Sequence, residues 1–522
     1  MSKSKAGIFV ATSSAVFSGY YATKHFTTKI RCLQSVTSPV EANAIFSEWI
    51  SNWFKGVKIK SPTFKVPGEC IKVLSKPEEF YKTLLQLSST ATSRIVLASL
   101  YLGNGEKEQV LVDTIHKNLK SLETPFEFNV LLECTRGSRG VKNSRTMLLP
   151  IVQQFQSTTN VALFHTPNLR GLLKAIVPER FNETINVSHL KVYLFDDTLV
   201  LSGANLSVDY FTNRQDRYII FENCKGLCDY YQDLVKTLSK FSFSLQPNDS
   251  LKLSSDFLHH PYKGSKRLFN TEANRLLTEF TKRHVGKTLE EHFLELIQNK
   301  SESNDTLVVP LLQMRTMRID QDELVTRNIL ASAPENTNLL LATAYFNLTN
   351  DYWNAILKSK PKVDLIMAHP KAMGFYKAPG MAGGIPNAYS LISKRRYQDL
   401  VNLNEVERVQ FLEFHRPGWT FHGKGLWAFI ECTTSKSEHK FHSSPFLTLI
   451  GSPNFGKRSV FRDMESQVAV LTLNKNLMQE LKKERDRMKK DTTQVTIATY
   501  NEEERKIVWW VYLIATFMNE LF

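Results

Sequence analysis

Short runs of aliphatic, β-branched and aromatic residues alternate along the chain with longer stretches whose apolar positions recur every three or four residues. That is the pattern of buried strands interleaved with amphipathic helices. In the first half, SRIVLASLYLG (93–103) is followed by the helical EKEQVLVDTIHKNL and then by FEFNVLLECTRGSRG, a strand ending in a basic, glycine-containing loop. The second half repeats this with TNLLLATAYFNLT (337–349), NDYWNAILKSK and KVDLIMAHPKAMGFYKAPG, and VLASLYL lies over LLATAYF without a gap. Each half then reaches a His-x-Lys, His189 with Lys191 and His422 with Lys424, and closes on a strand and turn, LVLSGANLS and LTLIGSPNFGKRS. Recurrence of these elements in one order predicts a duplicated α/β chain, its halves packed about a pseudo-twofold axis. The expected boundaries are a first domain over 70–250, a connecting region over 251–335, a second domain over 336–490 and a tail over 491–522. Within that scheme LKKERDRMKK (481–490) reads as a solvated helix.

Charge adds a preference for partners. The 522 residues carry 66 Lys+Arg against 51 Asp+Glu, a formal charge of +15 that favours nucleic acid, an acidic membrane or a phosphate-bearing substrate. Six scattered cysteines, with Cys224 and Cys228 as a lone CxxxC pair, suggest neither a zinc site nor a disulfide framework. From Met1 to Val40 there is no acidic residue, and Lys3, Lys5, Lys24, Lys29 and Arg31 stand among hydroxyl and aromatic side chains. Residues 1–40 therefore read as a mitochondrial targeting segment, with a signal anchor or secretory signal over the uncharged 6–23 as alternatives. The apolar IVWWVYLIATFM (507–518) is too short to cross a bilayer as a helix and reads as membrane-interfacial or as a terminal helix docked on the core.

The chemistry lies in the His-x-Lys copies. On a strand, residues two apart share a face. Neutral imidazole can attack phosphorus, and an ammonium can offset the charge of a phosphoryl oxygen. Asp196 is expected to fix a histidine's tautomer through its second ring nitrogen, and Asn205, in the turn after the next strand, to donate to the same phosphate. In a two-histidine site one imidazole becomes a phosphohistidine while the other protonates the leaving group and later takes the acceptor's proton. Such a site needs no metal.

His189, Lys191, Asp196 and the GAN turn at Asn205 resemble the motif of the phospholipase D superfamily. The second copy matches in His422, Lys424, Gly451, Ser452 and Asn454, but Phe429 stands where the aspartate should be, with Glu431 two residues on as a candidate substitute. GWTFHGKGLW, GGIPNAYSLISKRRY (383–397) and VPERFNE (177–183) are similar to eukaryotic phosphatidylglycerophosphate synthases. The resemblance implies two phospholipase D-like α/β/α sandwich domains with the active site at their interface. It also implies transfer of a phosphatidyl group from CDP-diacylglycerol to the sn-1 hydroxyl of glycerol 3-phosphate, with release of CMP, on the route to phosphatidylglycerol and cardiolipin. His189 would then be the nucleophile and His422 the acid/base, at the mitochondrial inner membrane and without a cofactor. Because glycerol 3-phosphate is nearly dianionic, Arg136, Arg139, Arg214, Arg217, Lys457 and Arg458, in loops beside the motif strands, are candidates to hold its phosphate.

Rival readings are weaker. ASLYLGNG (98–105) outlines a phosphate-binding loop but lacks the Gly-Lys-Ser/Thr that reaches phosphate and magnesium, so no ATP site is expected. The same fold hosts nucleases, yet the lysines are spread along the chain without a base-stacking stripe, so no nucleic acid is expected either. A serine acceptor, as in phosphatidylserine synthases, would need fewer cations. A non-catalytic membrane scaffold sits poorly with an intact His422 and Lys424.

Overall fold

The computed structural model describes residues 61–505, with Val511 and Tyr512, apart from 123–125, 179–181, 183–184, 288, 290, 293–294, 296–304, 336 and 431–443. The expected targeting segment, Glu431 and nearly all of 507–518 lie outside the described residues.

In chain order the strands are β1 (Phe64–Val66), β2 (Ile71–Leu74), β3 (Arg94–Ala98), β4 (Glu127–Glu133), β5 (Thr159–Phe164), β6 (Val192–Phe195), β7 (Thr198–Ser202), β8 (Arg214–Gln215), β9 (Tyr218–Phe221), β10 (Phe243–Leu245) and β11 (Leu251–Leu253). They continue as β12 (Thr306–Met314), β13 (Ile319–Asp320), β14 (Thr337–Thr343), β15 (Lys362–Ala368), β16 (Val409–Phe414), β17 (Thr420–Phe421), β18 (Gly425–Ile430), β19 (Leu447–Gly451), β20 (Glu465–Thr472) and β21 (Thr492–Gln494). One sheet runs β11-β10-β5-β4-β3-β6-β7-β9-β2, and the other runs β1-β12-β20-β19-β18-β14-β15-β16-β21 with β13 on β12. In the first, β3, β4 and β5 are parallel while β6, β7 and β9 follow antiparallel. In the second, β14, β15 and β16 are parallel while β18, β19 and β20 follow antiparallel. The strand order and directions recur, as the repeated sequence predicts.

Parallel neighbours require crossovers, and helices supply them: Glu106–Ser121 and Ser144–Gln154 in the first half, Asn350–Lys358 and Ile385–Asn402 in the second. Their starts are written locally. Asn143 forms a capping box with Thr146, and Thr349 Oγ1 accepts from Tyr352 N. Residues 251–335, expected as a connection, supply β11 to the first sheet and β12 and β13 to the second. The run TLVVPLLQM is buried along its whole length, as a continuous apolar strand between two partners should be. The helix Lys475–Lys490 buries Leu477, Leu481 and Met488, so LKKERDRMKK is solvated on one face only. A single apolar cluster joins Val192, Leu199 and Ile219 of the first sheet to Val308, Ile450 and Val468 of the second. The two sheets therefore share a core, which fixes the position of one half's site residues relative to the other's.

Candidate active site

Each His-x-Lys lies in the extended entry to a strand rather than inside it, and each entry is held by the opposite half. Ser188 bridges to Met464, and His189 N donates to Met464 O at 2.8 Å. Reciprocally, β17 pairs with β8, and His422 N donates to Gln215 O at 2.7 Å. The backbone pairing sets each histidine beside the residue that follows its partner. Nδ1 of His189 faces Glu465 at 3.0 and 3.1 Å, and Nδ1 of His422 faces Asp216 Oδ2 at 2.7 Å.

An ionised carboxylate can only accept, so these contacts favour a proton on Nδ1 and Nε2 as the basic nitrogen of each ring. Against this, at His422, the Lys424 ammonium competes as a donor to the same Nδ1. The two Nε2 atoms differ in surroundings. That of His422 lies 3.2 Å from Tyr210 Oη, whose oxygen also accepts from Asn205 Nδ2 at 3.1 Å. That of His189 has no hydrogen-bond partner among the described residues, and His189 lines the cavity. Lys191 donates to His189 O at 2.6 Å, and Lys424 Nζ lies 2.7 Å from His422 Nδ1 and 3.8 Å from Asp216. Gly203 makes room for this: a Cβ there would sit 2.6 Å from an Asp216 oxygen and 2.7 Å from Lys424 Nζ.

Asp196, expected to orient a histidine, does not. It occupies the β6–β7 turn with φ of 50°, and its carboxylate accepts from the backbone N–H groups of Thr92, Ser93 and Arg94 at 2.8 to 3.1 Å. Because β6 runs away from the histidine, Asp196 lies at the far end of that strand and ties the hairpin to the start of β3. The orienting acids, Asp216 and Glu465, were missed, although the sequence held a signal: each lies eleven residues beyond its turn asparagine, Asn205 or Asn454. Phe429, in the gap of the second motif, is buried in β18 under the Arg485 guanidinium. The second histidine is already oriented by Asp216, so its function does not require an acid at that position.

Both histidines open on a cavity of about 360 Å³ at the carboxyl ends of the parallel strands, where open α/β sheets bind ligands. Asn205, Asn454, Arg136, Arg139, Arg214 and Arg458 also line it. The guanidinium of Arg136 lies 3.8 Å from the Tyr101 ring centre, that of Arg214 stands over Tyr210, and Arg458 pairs with Asp463 at 2.8 Å. Lys457 starts a short helix and does not line the cavity. Arg217 is fully buried away from it, held by Glu484, Leu449 O and Thr448, with Trp427 against its face. The loop 98–105 supplies Leu100 and Tyr101 to the wall. Among the described residues, His189, Asp463 and Glu465 alone group ligand atoms of metal-binding type. The two acids of that set are already matched to Arg458 and to the nearby Lys191 ammonium.

Burial dominates the electrostatics. It holds both histidines well below their usual range, reinforced by the adjacent lysines, and lowers Lys191 and Lys424 while raising Glu465. Asp216 is pushed up by burial to about 6, from an ordinary 3.8. Since in the free protein the histidines stay neutral to lower pH, the acid limb of kcat/KM should belong to Asp216, falling as pH drops through about 6. Stability runs the other way: the unfolded carboxylate ionises first, so this group's contribution declines as pH rises from 3.8 toward 6. Asp216→Asn should lower kcat by about 10²- to 10⁴-fold and abolish that limb. Asp196→Ala should leave kcat within about threefold while costing about 1 kcal/mol, discounted for its solvent exposure. A pH–rate profile and urea unfolding of the two variants check both.

No protein-family model matches the chain. Among curated proteins, it is 41% identical over 491 residues to the mitochondrial CDP-diacylglycerol–glycerol-3-phosphate 3-phosphatidyltransferase of Gallus gallus, covering 90% of this chain and 86% of that one. It is 40% identical to the Homo sapiens protein of the same name, with the same coverage of both chains. It is 34% identical to a probable CDP-diacylglycerol–glycerol-3-phosphate 3-phosphatidyltransferase of Dictyostelium discoideum, covering 93% of this chain and 83% of that one. Among solved structures, the phosphatidylserine synthase of Haemophilus influenzae superposes with a TM-score of 0.63 at 18% identity, covering 92% of this chain and all of that one, and shares the fold. By length of match and identity, the chain belongs to the CDP-diacylglycerol–glycerol-3-phosphate 3-phosphatidyltransferase family.

Proposed function

We propose that the protein makes phosphatidylglycerophosphate and CMP from CDP-diacylglycerol and sn-glycerol 3-phosphate, through a phosphatidyl-histidine. The observation that carries this is a pair of histidines, each backed by a carboxylate from the other half, opening on one arginine-lined cavity. His189 Nε2 attacks the diacylglycerol-side phosphorus, and the bond from that phosphorus to the CMP oxygen breaks. Lys191 and Lys424 supply positive charge beneath the pentavalent phosphorus. In the second step His422 Nε2 takes the proton of the sn-1 hydroxyl as its oxygen attacks, and the phosphorus–nitrogen bond breaks to restore His189. Glu465 and Asp216 hold the tautomers these steps need. The assignment of His189 as nucleophile is favoured by its unengaged Nε2, where His422 Nε2 is met by Tyr210. Phosphate groups entering the cavity raise both imidazole pKa values, making a protonated His422 accessible to the departing CMP.

The glycerol 3-phosphate anion is held by the arginines of the cavity wall. Arg136→Ala should raise KM for glycerol 3-phosphate about tenfold while kcat changes less, a split that initial-rate kinetics resolves. The reading places the protein at the mitochondrial inner membrane, in keeping with the targeting composition of residues 1–40 and the mitochondrial designation of its animal relatives. The test is purified protein in mixed micelles with CDP-diacylglycerol, following CMP and lipid product with glycerol 3-phosphate, serine or water as acceptor. Product that requires glycerol 3-phosphate supports the reading. No CMP release with any acceptor would overturn it.

A further inference from the structure

Six segments leave the carboxyl ends of the parallel strands: 99–105, 134–143 and 165–178 in the first half, 344–349, 369–384 and 415–419 in the second. The cavity opens among the first two of each set. Together the six carry eight Lys or Arg and no Asp or Glu, while Glu179 and Glu183 follow the third in sequence and the segment after β7 adds Asp209, paired with Arg214. At the opposite end the strands are entered through segments of mixed charge, with Glu335 and Glu405 beside Lys360 and Arg408. The basic face is therefore specific to the edge that holds the site.

The same edge exposes apolar side chains. Val141 is 96% exposed, Leu172 74% and Ile176 66%, with Leu173 and Tyr376 also exposed. The helix Gly171–Ile176 has no buried residue, although its sequence is GLLKAI. A short helix in water is stabilised chiefly by burying an apolar face, and this one turns Leu172, Leu173 and Ile176 to solvent. It is nonetheless fastened in place: Arg170 bonds Gly264 O, and Lys174 sits 3.3 Å from the Tyr262 ring centre. An ordered helix with unburied leucines on a predominantly basic rim has the composition of an interfacial membrane anchor.

Taking the substrate to be a membrane lipid as above, we propose that this rim is the face by which the protein docks on an anionic bilayer. Leu172, Leu173 and Ile176 enter the headgroup layer, and Lys142, Arg170, Lys174 and Lys377 meet lipid phosphates. The docked orientation points the cavity at the bilayer, so a CDP-diacylglycerol headgroup reaches His189 while its acyl chains remain in the membrane. Charge and exposed area act together here, each basic residue and each inserted leucine adding to the partition free energy.

The test is flotation of the full chain with phosphatidylcholine vesicles, with and without phosphatidylserine. Wild type should bind the anionic vesicles more tightly than the neutral ones. Leu172→Glu with Leu173→Glu should weaken that binding about tenfold or more, while Leu403→Glu, exposed in the segment that enters β16 at the opposite end of the strands, should not. The indole introduced by Leu173→Trp should be quenched by brominated acyl chains, a readout of this surface even where another part of the chain also holds the membrane. Equal binding of the double variant and wild type, equal binding to neutral and anionic vesicles, or an indole that brominated chains leave unquenched would each overturn the proposal. CMP release from a short-chain, water-soluble CDP-diacylglycerol should survive in the double variant. Its absence from wild type would count against the transferase reading and leave the vesicle result standing.

Discussion

Replacing His189 with alanine should lower phosphatidyl transfer by about ten-thousandfold, because no other imidazole among the described residues of the cavity offers an unengaged nitrogen to phosphorus. His422→Ala should behave differently. The group that leaves in the first step is CMP, whose phosphate has a second pKa near 6, so it departs with little help from an acid. The nucleophile of the second step is an alcohol, which needs a base. His422→Ala should therefore release about one CMP per enzyme in a burst, accumulate lipid on His189, and then transfer to glycerol 3-phosphate roughly a thousandfold slower than wild type. Rapid-quench measurement of CMP against lipid product, with acid-labile label mapped by peptide mass, separates the steps. Equal loss of both half-reactions, or label on His422 in the His189→Ala protein, would reverse the assignment.

Arg217→Ala should destabilise the fold by about 3–5 kcal/mol, the cost of leaving a buried carboxylate without its partner. The Arg217 side chain has no exposure, and its guanidinium donates to both oxygens of Glu484, to Leu449 O and to Thr448. Glu484 in turn accepts from Trp427 Nε1 at 2.9 Å, so the pair anchors the helix Lys475–Lys490 to both halves. Replacing both partners, Arg217→Met with Glu484→Gln, should recover part of the loss, since no bare charge remains. Urea midpoints for the three proteins measure this. A higher KM for glycerol 3-phosphate with unchanged stability would instead return Arg217 to the substrate.

The duplicated strand order, both histidines, both lysines and both turn asparagines were legible because each follows from local patterning read twice. The acids were not. Asp196 sits at a motif spacing that suggests contact with His189, but a strand's length separates them, and its positive φ suits a turn that gathers backbone N–H groups. Glu465 is 276 residues from the histidine it orients, a distance in sequence that only the β-bridge at Ser188 closes. Among the six proposed phosphate-binding cations, a loop position beside a motif strand could not distinguish Arg136, facing the cavity, from Arg217, facing Glu484. The strand β12 was hidden by charged flanks on both sides, even though nine consecutive buried residues make it a central element of its sheet.

The crossed carboxylates have a historical consequence. A lone ancestral repeat would have carried a histidine without the acid that orients it, and could complete a site only by pairing with a second copy of itself. In such a symmetric pair, any change on one side appears on the other. Joining two such copies in one chain would lift that constraint. Five residues beyond the turn asparagine, one half now has Tyr210 against His422, and the other has Ser459 donating to Glu465. Covalent fusion would thus free two equivalent histidines to diverge, as the separate roles proposed for His189 and His422 require.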